Sequence, residues 1–364
     1  MNRKPQKIVF CISPHGFGHA AQTCSVINQL FKQTTEIDVF VKTSLPQAFI
    51  QERIINPINY IPNIIDFGMI MSSSIDVLAK ESWQRYQQLH TQWEANVQQE
   101  INSLASIKPD LVVSNVAYVV LEAACRLSIP SVAMCSLNWA DIFDYYCHDF
   151  EDAKAITAQM QNSYNSAQTF IQFTPCPPMT WLNNRQAVSP ITRYGKNQRM
   201  HINKHLSLNS DTQLVLIGLG GIEMRLPIES WPQRKNTLWV VPDEWQTRRD
   251  DCLPLSRLNL PFIDILASVD ALITKPGYGT FTEAVCHQLP FLYVPRGGWP
   301  EEPYLETWAK QYGVAASVHR VALNNGEFYT HLDQVLFEKR GSNITPLNAT
   351  GADEAVNIIL SFLK

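Results

Sequence analysis

The stretch Ile8-Val9-Phe10-Cys11-Ile12-Ser13-Pro14-His15-Gly16-Phe17-Gly18-His19-Ala20 joins a short apolar run to a helical pattern through two glycines. Residues 8–13 are predicted to form a strand, and residues 20–32 a helix with one apolar face. The alternation continues through the first half, with strands predicted at 37–42, 111–114, 131–135 and 170–173 and helices at 81–105 and 118–127. Short apolar strands that alternate with helices are typical of a parallel sheet covered on both faces.

The second half of the chain repeats this pattern after a segment of different composition. Residues 175–198 are rich in proline and lack periodicity, which is typical of a linker. Strands are then predicted at 214–217, 237–241, 271–274 and 291–294 and helices at 261–268 and 352–363. A length of 364 residues suits two domains. We therefore predict an α/β protein of two Rossmann-like parallel-sheet domains facing a cleft, an N-terminal one over residues 1–190 and a C-terminal one over residues 191–364.

Composition and charge argue against several classes of protein. The 29 Lys and Arg residues face 33 Asp and Glu, and a formal net charge of -4 argues against a nucleic-acid binder. We expect no signal peptide and no membrane-spanning helix, and the sequence shows no basic amphipathic helix, so membrane contact is expected to be peripheral at most. The eight cysteines are scattered without C-x-x-C spacing, which argues against disulfides and structural zinc and favours a cytoplasmic location.

The first glycine loop leads into a helix that begins with a histidine. Gly16 and Gly18 would let the backbone approach a ligand closely, and the helix N-terminus offers free N–H groups. The G-x-G-x-x-G dinucleotide fingerprint is absent because residue 21 is alanine. His19 is interpreted as a candidate base that removes a proton from a hydroxyl. His15 suits function and packing in the turn equally, and a simple tight turn is the alternative for the glycines.

A second glycine loop, Thr274-Lys275-Pro276-Gly277-Tyr278-Gly279-Thr280-Phe281-Thr282-Glu283-Ala284, again joins a strand to a helix. Gly277, Gly279 and Thr280 suit a diphosphate at the helix N-terminus. The carboxylate of Glu283 would accept hydrogen bonds from the vicinal hydroxyls of a ribose, or would simply complement the helix dipole. A P-loop is excluded because no G-K-[ST] sequence follows the glycines.

Two further segments follow strand ends in the second half. Gly218-Leu219-Gly220-Gly221 offers backbone donors for a phosphate, or forms only a turn. After the strand 291–294, Glu301 and Glu302 would bind sugar hydroxyls or belong to a solvated loop. Arg296 would assist a phosphate or pair with one of these glutamates. Three glycine turns at strand ends are hard to explain by packing alone.

Together these segments resemble the nucleotide-sugar glycosyltransferases of the glycosyltransferase B fold. Within that group, the chain resembles the glycosyltransferase-like N-terminal module of plant L-arabinokinases and related stand-alone bacterial proteins. A more distant likeness links it to the peptidoglycan N-acetylglucosaminyltransferases. The resemblance rests on the runs HGFGHA (15–20), IKPDLVVSN (107–115), SLNWADIF (136–143), GYGTFTEA (277–284), FLYVPR (291–296) and EEP (301–303). The sequence shows no counterpart of the sugar-kinase portion of the arabinokinases.

The resemblance implies roles for the matching positions of the second half. In this family the C-terminal domain binds a UDP-sugar, with the glutamate at the position of Glu283 on the ribose and the turn at 277–280 on the diphosphate. The position of Glu301 and Glu302 contacts the donor sugar, although other members often carry Asp-Gln or Gln-Gln there. The residues expected to bind the nucleotide sugar are Gly220, Gly221, Lys275, Gly277, Tyr278, Gly279, Thr280, Glu283, Arg296, Glu301 and Glu302.

The resemblance places the acceptor at the N-terminal glycine loop, with His19 as the candidate catalytic base. Trp139 and Asp141 follow a strand end beside the same cleft, where Asp141 would orient or replace that base as a second catalytic residue. The alternative for this segment is a buried tryptophan with a helix cap. The other residues expected on the acceptor side are His15, Gly16, Phe17, Gly18 and Asn138.

The expected function is transfer of a sugar from a nucleotide-diphosphate sugar, UDP-linked, to the hydroxyl of an acceptor that the sequence does not identify. Backbone N–H donors and the helix dipole would hold the leaving phosphate. We therefore expect metal-independent, inverting transfer, with the nucleotide sugar as a co-substrate and no cofactor. Two alternatives remain, a catalytically silent module that binds a nucleotide sugar and a nucleotide-sugar epimerase of the same two-domain fold.

Overall fold

The computed structural model describes residues 4–220, 224–341 and 347–363, and within them the chain forms two compact units. The first unit comprises the described residues within Met1–Ser72, Val77–Ile191 and Ala349–Lys364. The second comprises those within Ser73–Asp76 and Thr192–Asn348.

The first unit contains a seven-stranded parallel sheet. Its strands are β1 (Gln6–Ile12), β2 (Ile37–Lys42), β3 (Asn59–Ile61), β4 (Leu111–Asn115), β5 (Ser131–Cys135), β6 (Thr169–Phe173) and β7 (Arg185–Val188). Their order is β3-β2-β1-β4-β5-β6-β7, and each neighbouring pair is parallel. Because β1, β4 and β5 are neighbours, the loops after their carboxyl ends meet at one edge of the sheet.

Helices cover this sheet and bury β4, β5 and β6 along their whole lengths. They are α1 (Gly18–Gln33), α2 (Gln47–Gln51), α3 (Ala79–Thr91), α4 (Trp93–Ile107), α5 (Val119–Arg126), α6 (Trp139–Cys147) and α7 (Ala153–Asn165). The single helix predicted at 81–105 is two helices, because Gln92 between them has φ -101° and ψ 25°. Apolar runs without alternation had predicted such doubly covered strands.

The second unit contains a six-stranded parallel sheet. Its strands are β8 (Gln213–Gly218), β9 (Thr237–Val241), β10 (Cys252–Pro254), β11 (Ala271–Thr274), β12 (Phe291–Tyr293) and β13 (Ala315–Ser317), in the order β10-β9-β8-β11-β12-β13. Its helices are α8 (Arg199–Leu206), α9 (Phe262–Leu266), α10 (Tyr278–Cys286), α11 (Glu302–Tyr312), α12 (Arg320–Asn325) and α13 (Tyr329–Gly341). Two helix-covered parallel sheets confirm the predicted fold class.

The C-terminal helix α14 (Gly351–Leu360) belongs to the first unit, whereas the sequence placed residues up to 364 in the second domain. It packs on α1 and β7 and buries Ala355, Val356 and Ile359. A Cβ on Gly351 would lie 1.9 Å from the backbone oxygen of Ser189, so only glycine allows this approach. The helix thus returns to the first unit through a contact that no local sequence pattern encodes.

A buried ion pair joins β2 to α4 inside the first unit. Lys42 donates to Glu100 and, at 2.9 Å, to Ser103 Oγ, and the Lys42 and Glu100 side chains are 4% and 1% exposed. The second carboxylate oxygen of Glu100 accepts the backbone N–H of Ile65 at 3.3 Å. The pair therefore also holds the loop at 64–68 against α4.

Candidate active site

The first glycine loop lies at the carboxyl end of β1. β1 ends at Ile12 and α1 begins at Gly18, so the loop spans residues 13–17. Gly16 has φ +68°, and a Cβ built on Gly16 or Gly18 would meet no atom of the described residues within 4 Å. The ring of Phe17 stacks on that of Phe49, with centroids 4.1 Å apart. The loop therefore has open space around both glycines.

His19 lies in the first turn of α1 and is 7% exposed. Its Nδ1 lies 3.0 Å from Asn115 Oδ1, at the carboxyl end of β4. Asn115 Nδ2 donates to the backbone oxygen of His19 at 3.2 Å and to Gln22 Oε1 at 3.1 Å. Because both bonds require Nδ2 to be the donor, Oδ1 is the acceptor and His19 Nδ1 carries the proton. The lone pair of the neutral ring is then on Nε2.

Burial keeps this imidazole neutral. It lowers the pKa of His19 to about 4 and outweighs the hydrogen bond to Asn115, which raises the pKa. A neutral ring with a free lone pair on Nε2 is the form that accepts a proton from a hydroxyl. The neutral ring can therefore accept a proton, although a pKa of about 4 makes it a weak base. The catalytic role of His19 stays a prediction.

His15 packs against aromatic rings beside His19. Its ring contacts the Trp139 indole edge-on at 5.1 Å between centroids, and lies 6.5 Å from the ring of His19. Gly68, in the loop at 64–68, packs closely on His15, since a Cβ there would lie 2.6 Å from the His15 ring. With φ +69°, Gly68 is also in a conformation that favours glycine. The packing role of His15 is therefore evident, and a functional role stays a prediction.

Asp141 is bound within its own segment. Asn138 caps α6 by accepting the Asp141 backbone N–H at 2.8 Å, and its Nδ2 donates to Asp141 Oδ2 at 2.7 Å. The Trp181 indole donates to Asp141 Oδ1 at 2.7 Å. Burial raises the pKa of Asp141, against the effect of these two hydrogen bonds. This arrangement matches the helix-cap alternative, and the hydrogen bonds described for Asp141 do not include one to His19.

The second glycine loop lies at the carboxyl end of β11 in the second unit. Gly277 precedes α10 with φ -163°, and Tyr278, Gly279 and Thr280 form the first turn of the helix. A Cβ on Gly279 would meet no atom of the described residues within 4 Å. The first turn of α10 therefore has room for a ligand, as a helix N-terminus that binds a phosphate requires.

Two basic side chains lie beside the glycine turns of the second unit. A Cβ on Gly220 would lie 3.2 Å from Lys275 Cε, and one on Gly277 would lie 3.8 Å from both Lys275 Nζ and Arg296 Nη2. Burial lowers the pKa of Lys275 well below its ordinary value, and the charge of Arg296 lowers it further, against Glu301 and Glu302. An anion bound here would favour the charged form of Lys275 and offset the repulsion between Lys275 and Arg296. Gly221 lies outside the described residues.

Glu283 forms an ion pair that the sequence analysis did not expect. Its Oε1 lies 3.1 Å from Arg193 Nη2, and the Glu283 side chain is 10% exposed. Arg193 comes from the segment that was predicted as a linker. A ribose at Glu283 would therefore share the carboxylate with a guanidinium, and the ribose role stays a prediction.

Glu301 and Glu302 are 3% and 6% exposed, so the solvated-loop alternative is wrong. Both oxygens of Glu302 accept the backbone N–H of Arg296 at 3.0 Å, and burial raises the pKa of Glu302 to about 7. Glu301 Oε2 accepts the indole N–H of Trp299 at 3.3 Å, and the Arg296 guanidinium lies over that indole at 4.9 Å. The two glutamates thus hold the loop that carries Arg296.

Within the described residues, no three His, Cys, Asp or Glu side chains come together as a metal-ligand group. Among the helices of the described ranges, none is both long enough and apolar enough to span a membrane.

Solved structures share this architecture over almost the whole chain. A glycosyltransferase of kitacinnamycin superposes with a TM-score of 0.70 at 12% identity, covering 99% of this chain and 100% of that one. The calicheamicin glycosyltransferase CalG4 gives 0.66 at 14% identity, covering 99% and 98%. Arabidopsis thaliana UGT89C1 complexed with UDP gives 0.60 at 14% identity, covering 98% and 100%. The chain has the glycosyltransferase B fold.

Sequence comparison identifies a relative of this chain among known proteins. No protein-family model matches the chain. It is 26% identical over 341 residues to L-arabinokinase of Arabidopsis thaliana, a match that covers 90% of this chain. The chain spans about a third of that relative, since the match covers 32% of its length.

Two residues that contact the candidate site residues His19 and Glu283 are not among those that the sequence analysis singles out. Asn115 sets the tautomer of His19, and its signal is a polar residue at the end of the apolar run Leu111–Asn115. Arg193 pairs with Glu283 from 90 residues away, and no local pattern marks it.

Proposed function

We propose that this chain is a glycosyltransferase that moves a sugar from a UDP-sugar to an acceptor hydroxyl. The glycosyltransferase B fold supports sugar transfer, and a neighbour of that fold binds UDP. The second unit binds the donor, and the first unit supplies the base.

On the donor side, the diphosphate binds at the first turn of α10. The N–H groups of that turn, the Lys275 ammonium and the Arg296 guanidinium together stabilise its negative charge. This charge grows on the leaving phosphate in the transition state, where fixed donors contribute most. These groups take the place that a divalent cation would have, and we therefore propose that transfer is metal-independent.

In the proposed step, His19 Nε2 accepts the proton of the acceptor hydroxyl. The acceptor oxygen forms a bond to the anomeric carbon, and the bond from that carbon to the diphosphate oxygen breaks. UDP leaves with the electron pair, and the proton stays on His19 as imidazolium until it passes to solvent. A single displacement of this kind inverts the anomeric configuration.

The observation that carries the proposal is the position of Lys275 against both Gly220 and Gly277. UDP should raise the melting temperature of the protein, because a ligand that binds only the native state stabilises it. We expect Lys275→Met to raise the Kd for UDP about 10–100-fold, since hydrogen bonds to charged groups contribute about 1.5–3 kcal/mol. Thermal-shift titration with UDP, dTDP and GDP measures both the loss and the base preference.

Lys235→Met is the matched control, because Lys235 is an exposed lysine of the same unit. An unchanged UDP titration for Lys275→Met would contradict the donor site. UDP release from UDP-sugars in the presence of acceptors tests transfer itself. UDP binding without any such release would reduce the function to nucleotide-sugar binding.

The pH profile should report the neutral form of His19. Because the pKa of His19 is lowered to about 4, we expect kcat/KM to stay level down to about pH 5 and to fall below it. Asn115→Asp places a carboxylate beside Nδ1, which favours the imidazolium and raises its pKa by about 1–3 units. The acid limb should then move to higher pH. Initial rates between pH 4.5 and 8 measure this shift.

Asn102→Asp adds the same charge at an exposed position of the first unit and should leave the limb unchanged. An acid limb near pH 6.5 in the unsubstituted protein would show that the essential histidine is not the buried one.

A further inference from the structure

Gln22 is a buried polar residue that the proposed transfer step does not use. It lies in α1, about one turn after His19, and is 4% exposed. Its amide group faces the carboxyl ends of β4 and β5, where its partners Asn115, Cys135 and Ser136 are also buried. A buried amide costs free energy unless it is hydrogen-bonded, so these partners define how Gln22 is held.

The hydrogen bonds allow the Gln22 amide a single orientation. Its Oε1 accepts from Asn115 Nδ2 at 3.1 Å and from Cys135 Sγ at 3.6 Å, and its Nε2 donates to Ser136 Oγ at 3.1 Å. Asn115 Nδ2 also faces the backbone oxygen of His19, which can only accept. If the Gln22 amide were turned over, two N–H groups would therefore face each other.

This orientation directs two acceptors toward His19 Nδ1. Asn115 gives both Nδ2 hydrogens to other oxygens, so its Oδ1 is the atom that faces Nδ1 at 3.0 Å. The Cys135 thiol gives its hydrogen to Gln22, so a lone pair of its sulfur faces Nδ1 at 3.5 Å. Two acceptors beside one ring nitrogen favour the tautomer with the proton on that nitrogen. Gln22 therefore acts on the His19 ring through two other side chains.

Loss of the Gln22 amide would release both of these hydrogens. Asn115 Nδ2 would keep one hydrogen buried without an acceptor, which is unfavourable and would loosen the amide. The Cys135 thiol could then turn its hydrogen toward Nδ1, where a donor stabilises the tautomer with the proton on Nε2. That tautomer has no lone pair on Nε2, the atom that accepts the proton in the proposed step.

We propose that Gln22 is a positioning residue that keeps the proton of His19 on Nδ1 and the lone pair on Nε2. Ser136 anchors the Gln22 amide, and Asn115 and Cys135 carry its effect to the ring. This inference rests on the proposed function, because it names a residue that prepares the base of that site. Gln22 lies outside the glycine loop, and no sequence pattern singled it out.

NMR spectra of the full chain with ¹⁵N-labelled histidine test the proposal, because the ring nitrogens have different chemical shifts in the two tautomers. The spectra are recorded at pH 7, where the His19 ring is neutral, and the His19→Ala spectrum assigns its signals. We expect the Nδ1–H tautomer in the unsubstituted protein and a mixture with the Nε2–H tautomer in Gln22→Met. In that variant kcat should fall about tenfold, the effect of one lost hydrogen bond, while the Kd for UDP stays unchanged.

Two further variants separate positioning from folding. Gln22→Glu keeps an acceptor oxygen for Asn115 and Cys135, so it should restore the Nδ1–H tautomer and most of kcat. Gln33→Met makes the same change as Gln22→Met at the exposed end of α1, and should alter neither the spectrum nor kcat.

An unchanged Nδ1–H tautomer in Gln22→Met would overturn the proposal, as would the Nε2–H tautomer in the unsubstituted protein. Failure of Gln22→Glu to restore the Nδ1–H tautomer would contradict it as well. The spectra require neither donor nor acceptor, so the two possible failures are distinguishable. Normal UDP release with an unchanged tautomer removes this inference alone, whereas absence of UDP release by the unsubstituted protein removes the proposed function.

Discussion

His19→Ala should lower kcat for sugar transfer about 10²–10⁴-fold and leave the UDP-induced rise in melting temperature unchanged. A positioned general base contributes about this factor to proton transfer. Lys275 and Arg296, which we propose to bind the donor, belong to the second unit, so removing an imidazole from α1 should not change them. Initial rates at saturating donor, together with a UDP thermal-shift titration of the same preparation, measure both effects.

His148→Ala is the matched control for this prediction. His148 is an exposed histidine of the first unit, 59% exposed at its side chain, and should leave kcat unaltered. His15→Ala separates the effect of the loop histidine from that of His19, since His15 packs on Trp139 and has no role in the proposed step. Normal turnover by His19→Ala would show that another group removes the proton.

Glu100→Gln should destabilise the first unit by about 3–5 kcal/mol. The substitution leaves the Lys42 ammonium buried without its counter-charge, and breaking one side of a buried pair carries about this cost. It also weakens the bond that Glu100 accepts from Ile65, so the loop carrying Asp66 should loosen. Urea unfolding, followed by tryptophan fluorescence, measures the loss of stability.

Two variants control this prediction. The double substitution Lys42→Met with Glu100→Leu removes both charges and should recover most of the stability. Glu52→Gln removes an exposed carboxylate that lies 3.7 Å from Arg53, and should cost less than about 1 kcal/mol. Equal losses for Glu100→Gln and Glu52→Gln would mean that the buried pair is solvated in solution.

The fold could be predicted because strands of a buried parallel sheet have short, continuous apolar sequences. Leu111–Asn115 and Ser131–Cys135 are buried at every position and were readily recognised. β7 escaped notice because it buries only Val188 of its four residues, which leaves no apolar run. The break at Gln92 is a backbone bend inside a polar helical pattern, and that pattern does not specify where a helix bends.

The sequence could predict only those parts of the candidate site that lie close together along the chain. A strand, a glycine turn and a helix are consecutive in sequence, so both glycine loops were found. The hydrogen-bond partners of the candidate residues come from distant parts of the sequence, since Asn115 is 96 residues from His19 and Arg193 is 90 residues from Glu283. Asp141 shows the converse in part, because Asn138 forms the local cap that the spacing Asn138 to Asp141 already allowed, whereas Trp181 binds it from 40 residues away.

The position of α14 bears on how the chain folds during synthesis. The ribosome delivers residues 192–348 after the strands of the first unit and before the helix that covers α1 and β7. The apolar side chains of Ala355, Val356 and Ile359 are synthesised after residues 192–348. The nascent first unit therefore keeps that patch uncovered until α14 has been synthesised, and a message that stops before residue 351 would release a molecule with exposed apolar surface.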